Sequence, residues 1–163
     1  WLFTEAQEAK VPIVFLAPHA DLHLMHDVAR RYPQIKFGLD HLGLAEGKGE
    51  EAFSGFNEVL KLSALPNMGV KVSNLPHFAP DTYPYRWLHP YLRQVYDAFG
   101  PKRMFWGTDL TRGLGCTYRQ AVTMFTEEIP WLTDDDKEWI MGRALCAWIG
   151  WEKEPGKKAA VSA

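Results

Sequence analysis

Hydrophobic positions along this chain follow two alternating rhythms. Continuous apolar runs at 11–17 (VPIVFLA), 35–41 (IKFGLDH), 67–74 (NMGVKVSN) and 103–109 (RMFWGTD) are separated by longer stretches with apolar positions three and four apart. An unbroken run of that length suits a strand covered on both faces, whereas the wider spacing draws one apolar stripe along a helix. The helical stretches are 21–33, with Leu22, Met25, Val28 and Ala29 on one stripe, and 51–65, with Phe53, Phe56, Val59, Leu60 and Leu62. They continue at 87–100, 117–128 and 133–149. Pro33 stops the first and Gly100-Pro101 the third, because proline cannot continue a helix and glycine accepts its left-handed exit. Thr133 and the three aspartates after it begin the last, where a hydroxyl and acids meet the free N–H groups.

Strict alternation of strand and helix predicts βαβ units and a parallel sheet. Four strands with their helices make a small open α/β sheet or half of a (β/α)8 barrel. Trp1, Leu2, Phe3, Ala6 and Ala9 already lie in a helical pattern with no initiating Met, so the chain is expected to be a fragment lacking its N-terminal part. The expected organisation is one domain over 1–151 and a polar tail over 152–163. Net charge is −2 and the basic residues are scattered, which argues against nucleic-acid and anionic-membrane partners. No apolar segment approaches the roughly 18 residues of a membrane span. Cys116 and Cys146 have no C-x-x-C spacing and read as reduced thiols, so a cytoplasmic location is expected.

In parallel α/β folds the chemistry collects where the strands finish. The first strand delivers His19, the second Asp40 and His41, the third Lys71, Ser73 and Asn74, and the fourth Asp109, Thr111 and Arg112. Singly, each has an ordinary role: Asp40 and Asp109 as helix caps, His41 as a hydrogen-bonded core histidine. Together they describe a site. His41 is the best base, with an ordinary pKa near neutrality. Asp109 suits metal ligation or water activation, and Arg112 suits bidentate pairing with a substrate carboxylate. His23 and His26 lie within a helical pattern and read as solvent-facing. The loop at 75–86 adds His77, Tyr83 and Tyr85 as candidate pocket residues.

The segments RRYPQIKFGLDHLGL, NMGVKVSN, FGPKRMFWGTDLTR and DKEWIMGRALCAWIGW together resemble the C-terminal half of the amidohydrolase-related TIM barrels (amidohydrolase family 2). That family groups lactonases, decarboxylases of the aminocarboxymuconate-semialdehyde type and metal-dependent hydrolases. The resemblance implies that the four strands are the fifth to eighth of a barrel, with a metal-binding His-x-His on the missing first strand. It implies that His41 is metal-adjacent or catalytic, and that Asp109 is a metal ligand and proton acceptor. Where metal-using members have a fifth-strand histidine four residues after a proline, Leu16 stands here, and His19 could substitute only if its loop curls back. The implied cofactor is one divalent metal, Zn or Mn, with Asp109 and His19 as ligands.

The expected activity is hydrolysis of a small carbonyl substrate such as a lactone, ester or amide. Asp109 would activate water, His41 would assist, and Arg112, Lys71, His77, Tyr83 and Tyr85 would hold the substrate. The alternative on the same scaffold is non-oxidative decarboxylation of an aromatic or unsaturated acid. A third reading is an inactive fragment lacking the first-strand histidines. The expected partners are a small-molecule substrate and further copies of the chain in a homo-oligomer.

Overall fold

The computed structural model describes residues 1–44, 46–112 and 115–151, the side chain of Arg112 excepted. The tail expected at 152–163 lies outside the described residues. Strands β1 (Ile13–Phe15), β2 (Phe37–Leu39), β3 (Met68–Ser73) and β4 (Met104–Gly107) form one sheet in that order, every adjacent pair parallel. Pairing of Phe15 with Leu39, Leu39 with Val70, and Ser73 with Gly107 brings all the C-terminal ends to one side. The helices are α1 (Leu2–Glu8), α2 (Leu22–Arg31), α3 (Phe56–Lys61), α4 (Leu75–Phe78), α5 (His89–Phe99), α6 (Tyr118–Thr126), α7 (Asp134–Glu138) and α8 (Ala144–Ile149). None is long and apolar enough to cross a membrane.

The alternation expected from the sequence is present, with three differences. The last helical stretch is divided, because a π-helical turn at Trp139–Arg143 separates α7 from α8 and Gly142 leaves the helical region there. The loop at 75–86 opens with α4, whose Pro76 sits in the first turn where no N–H is needed. Finally, β1 is an edge strand, not one covered on both faces: Val14 is 49% and Leu16 69% exposed. The expected Thr133 cap is present as a reciprocal pair, with its hydroxyl accepting from Asp136 N–H and Asp136 accepting from Thr133 N–H.

Strand alternation divides the sheet into two faces. Phe37, Leu39, Met68, Val70, Val72 and Met104 are buried against the helices, and Phe37 stacks on Phe15 at 5.3 Å. The opposite face carries Val14, Gly38, Gly69, Lys71, Ser73, Phe105 and Gly107. Close approach explains one of its glycines, since a Cβ on Gly69 would stand 2.5 Å from the Phe105 ring.

Two polar side chains, Asn67 buried and Arg103 half-buried, tie down the end of the sheet away from the strand C-termini. Asn67, just before β3, donates its amide to the carbonyls of Ala29, Tyr32 and Ile35, satisfying the end of α2. Arg103, just before β4, donates to Phe99, Ala98, Ser63, Leu65 and Met68 carbonyls while lying over the Phe99 ring. Burial lowers the Arg103 pKa.

Asn67→Ala strips the buried carbonyls of their donor. The expected cost is about 2 kcal/mol, a fall in melting temperature of about 4–8 °C for a chain of this size, read by thermal denaturation. A second expectation concerns pH. His89 opens α5, and its pKa is lowered from 6.5 by burial and by Arg86, against the pull of Asp81 and Glu128. The folded state therefore holds that proton less tightly than the unfolded chain, so the contribution is present above 6.5 and is lost as pH falls below it. Melting temperature should drop from about pH 7 to about pH 5, and His89→Gln should make the drop shallower.

Candidate active site

The chain leaves β2 through a left-handed turn. His41, Leu42 and Gly43 have φ of 49°, 53° and 68°. The two non-glycine residues each cost about 1–2 kcal/mol in that conformation, and the surroundings compensate. Leu42 is buried, and His19 donates from Nε2 to the Leu42 carbonyl at 3.0 Å. The His19 ring also lies against two glycines: a Cβ on Gly43 would meet its Cδ2 at 3.0 Å, and one on Gly55 its Cβ at 2.4 Å. Burial lowers the His19 pKa, opposed by the Leu42 hydrogen bond and by Glu58, which favours the neutral ring that this packing needs. His19, expected as a metal ligand, thus braces the turn, with its Nε2 proton committed to Leu42.

The turn directs His41 back over the sheet. Its Nδ1 lies 2.8 Å from the Ser73 hydroxyl at the end of β3, and its Nε2 3.4 Å from Asp109 Oδ2. Asp109 follows β4 with φ of 55°, and Asn74 follows β3 with φ of 56°. The Asn74 amide donates to Asp109 Oδ2 at 3.1 Å, and the Thr111 hydroxyl approaches Asp109 Oδ1 at 3.4 Å. Three adjacent strands therefore each end near a non-glycine residue in the left-handed region, and those three side chains meet. Strain of this kind clusters at functional sites and persists where the surrounding structure holds it in place.

Lys71, on the same face as Ser73, forms an ion pair with Asp40. The expected pocket residues gather in a cavity of about 570 Å³, lined by His77, Tyr83 and Tyr85 together with Lys48, Asp81 and Gln120. These residues come from the loops after β2 and β3 and from the first turn of α6, so the cavity opens at the same end of the sheet as the His41–Asp109 pair, which is not in its lining. Both tyrosine hydroxyls are engaged by the protein. Tyr83 bonds Thr123 at 2.9 Å and donates to Glu128 at 3.2 Å. Burial pushes the Tyr85 hydroxyl up to about 12, helped by its bond to the Cys116 thiol and by Asp81. These two residues offer the cavity their rings. The Arg112 side chain, expected to bind a substrate carboxylate, lies outside the described residues.

Ser73 and Asn74 are visible in the sequence as strand-end residues, but no role follows from their spacing. An asparagine directly after a strand is a usable signal, because its short side chain tolerates left-handed backbone. The partner of Ser73 is set by the turn at 41–43 and has no sequence signal. Among the described residues no group of three or more His, Cys, Asp or Glu is placed to hold a metal ion. Asp109 and His41 Nε2 give two donors where a tetrahedral site needs more, so the described residues alone do not fit a divalent metal.

Comparison with known proteins bears on this geometry. A family model described as amidohydrolase matches residues 1–144. An L-fucono-1,5-lactonase from Burkholderia ambifaria is 33% identical over 58% of this chain and 38% of its own length. An amidohydrolase from Burkholderia multivorans, crystallised with bound zinc, superposes with a TM-score of 0.77 at 22% identity, covering 91% of this chain and 55% of that one. A protein from Pseudomonas putida named as a 2-pyrone-4,6-dicarboxylic acid hydrolase gives 0.74 at 20% identity, covering 94% and 56%. The chain thus spans little more than half of these solved structures and less than that of the lactonase. At such identities the structural likeness establishes the fold, a parallel α/β sheet similar to that of amidohydrolase TIM-barrel proteins. With the family model matching most of its length, the chain belongs to the amidohydrolase family.

Proposed function

We propose that this chain carries the acid–base pair of a hydrolase that opens a lactone or a related small carboxylic ester. The observation that carries the reading is the meeting of His41 and Asp109, delivered by separate strands to one end of a parallel sheet. In the reaction Asp109 takes a proton from water, and the water oxygen attacks the carbonyl carbon. The tetrahedral adduct collapses with cleavage of the ring C–O bond, and the departing oxygen takes the proton back. His41, beside the carboxylate, donates a hydrogen bond to Asp109 or to the carbonyl as charge builds there.

The likeness to an L-fucono-1,5-lactonase and to a protein named for pyrone hydrolysis supports a cyclic ester over an amide. The cavity of about 570 Å³ suits a small substrate, with Lys48 as a cationic group, His77 as a hydrogen-bonding group and the Tyr83 and Tyr85 rings as walls. Lys71, already paired with Asp40, is a second cation for a substrate carboxylate or a developing oxyanion. The four strands are read as the last four of an eight-stranded barrel, which accords with coverage of 55% and 56% of the solved structures. The reaction steps use only residues of this chain.

Asp109→Asn keeps the size of the side chain and removes the base. Assayed on a panel of sugar lactones, pyrone carboxylates and simple esters, it should lower kcat by about 10²–10⁴-fold, the usual worth of a positioned general base. Undiminished turnover by the variant would remove Asp109 from the mechanism.

A further inference from the structure

Ser73 and Asn74 stand beside the His41–Asp109 pair with no part in the hydrolytic reading, and the role inferred for them rests on that reading. The Asn74 amide donates to Asp109 Oδ2 at 3.1 Å, His41 Nε2 stands 3.4 Å from the same oxygen, and the exposed Thr111 hydroxyl donates to Oδ1 at 3.4 Å. Ser73, 1% exposed, lies 2.8 Å behind the imidazole at Nδ1. We infer that Ser73 and Asn74 are positioning residues, Ser73 holding the His41 imidazole at Nδ1 and Asn74 holding the Asp109 carboxylate at Oδ2, so that the pair meets the substrate in one orientation.

Hydrogen-bond polarity decides which way the imidazole is protonated. A neutral imidazole carries one N–H and one lone pair. If Nε2 presented its lone pair to Asp109, two acceptors would face each other at 3.4 Å. If Ser73 donates its hydroxyl proton into Nδ1, the N–H falls on Nε2, on the Asp109 side. The carboxylate, an acceptor only, favours that tautomer, and the serine hydroxyl, able to donate or accept, holds the ring in place. The Asn74 amide, a donor to Asp109 Oδ2, adds a second restraint and prevents the carboxylate from rotating. In the reaction the water O–H bond breaks toward the Asp109 carboxylate while its oxygen forms the bond to the carbonyl carbon. When the ring C–O bond breaks, the same proton passes from Asp109 to the departing oxygen.

Asn74 itself is 1% exposed and held in the left-handed region, a costly place for an ordinary side chain. Glycine is free in that conformation, so Asn74→Gly deletes the amide without adding backbone strain. Measured in the active enzyme beside Asp109→Asn, Asn74→Gly and Ser73→Ala should each lower kcat by about 10–100-fold, the usual cost of losing a group that orients a reacting one. KM should be essentially unchanged, since the loss falls on the transition state. A purely structural role would lower melting temperature without that split. Nitrogen NMR of the unliganded protein should show the His41 Nδ1 resonance moved in Ser73→Ala, because the hydroxyl that bonds that nitrogen is gone. Full kcat in both variants while Asp109→Asn is inactive, or an Nδ1 resonance unchanged by Ser73→Ala, would overturn the assignment. An active Asp109→Asn would instead overturn the hydrolytic reading.

Discussion

His41 can touch Ser73 and Asp109 at once only because the chain turns left-handed immediately after β2, and the site is organised around that turn. Two non-glycine residues held at positive φ cost a few kcal/mol between them. Burying the Leu42 side chain offsets about 1.5–3 kcal/mol of it. His19 secures the remainder from the neighbouring strand, bonded to the Leu42 carbonyl and fitted between Gly43 and Gly55. A side chain at either glycine would displace this ring, and with it the orientation of His41.

Strain and anchorage lie at opposite ends of the sheet. At the strand C-termini, left-handed residues present a carboxylate, an imidazole and an amide to one another. At the other end Asn67 and Arg103 satisfy the carbonyls of the helix termini and loops that enter β3 and β4. The second arrangement permits the first, since a site held by several weak contacts needs strands that do not shift. Family membership and the lactonase likeness accord with that division, because catalytic variety on this architecture is carried by the loops at the strand C-termini.

Much of the scaffold was legible in the amino-acid order. Apolar runs at 11–17, 35–41, 67–74 and 103–109 each contain a strand, and the stripes between them contain the helices. Boundaries were less legible. The exposure of β1 depends on what packs over the sheet face that carries Val14, and the π-helical turn at Trp139–Arg143 on local backbone geometry at Gly142. Neither leaves a mark in hydrophobic periodicity.

The site divides in the same way. Strand-end position alone brought His41 and Asp109 forward, because parallel strands in register deliver their final residues to one side. It could not say that His19 would brace a turn, that Tyr83 would bond Thr123 and Glu128, or that Ser73 and Asn74 would flank the pair. Those contacts span from 23 to 45 positions along the chain and depend on backbone torsions at single residues. The sequence by itself determined the alternating α/β order, the parallel sheet and the family. Only the tertiary structure decided which polar groups at the strand ends face one another, because residue type permits left-handed backbone at Asn74, His41 and Asp109 while packing decides that it is adopted.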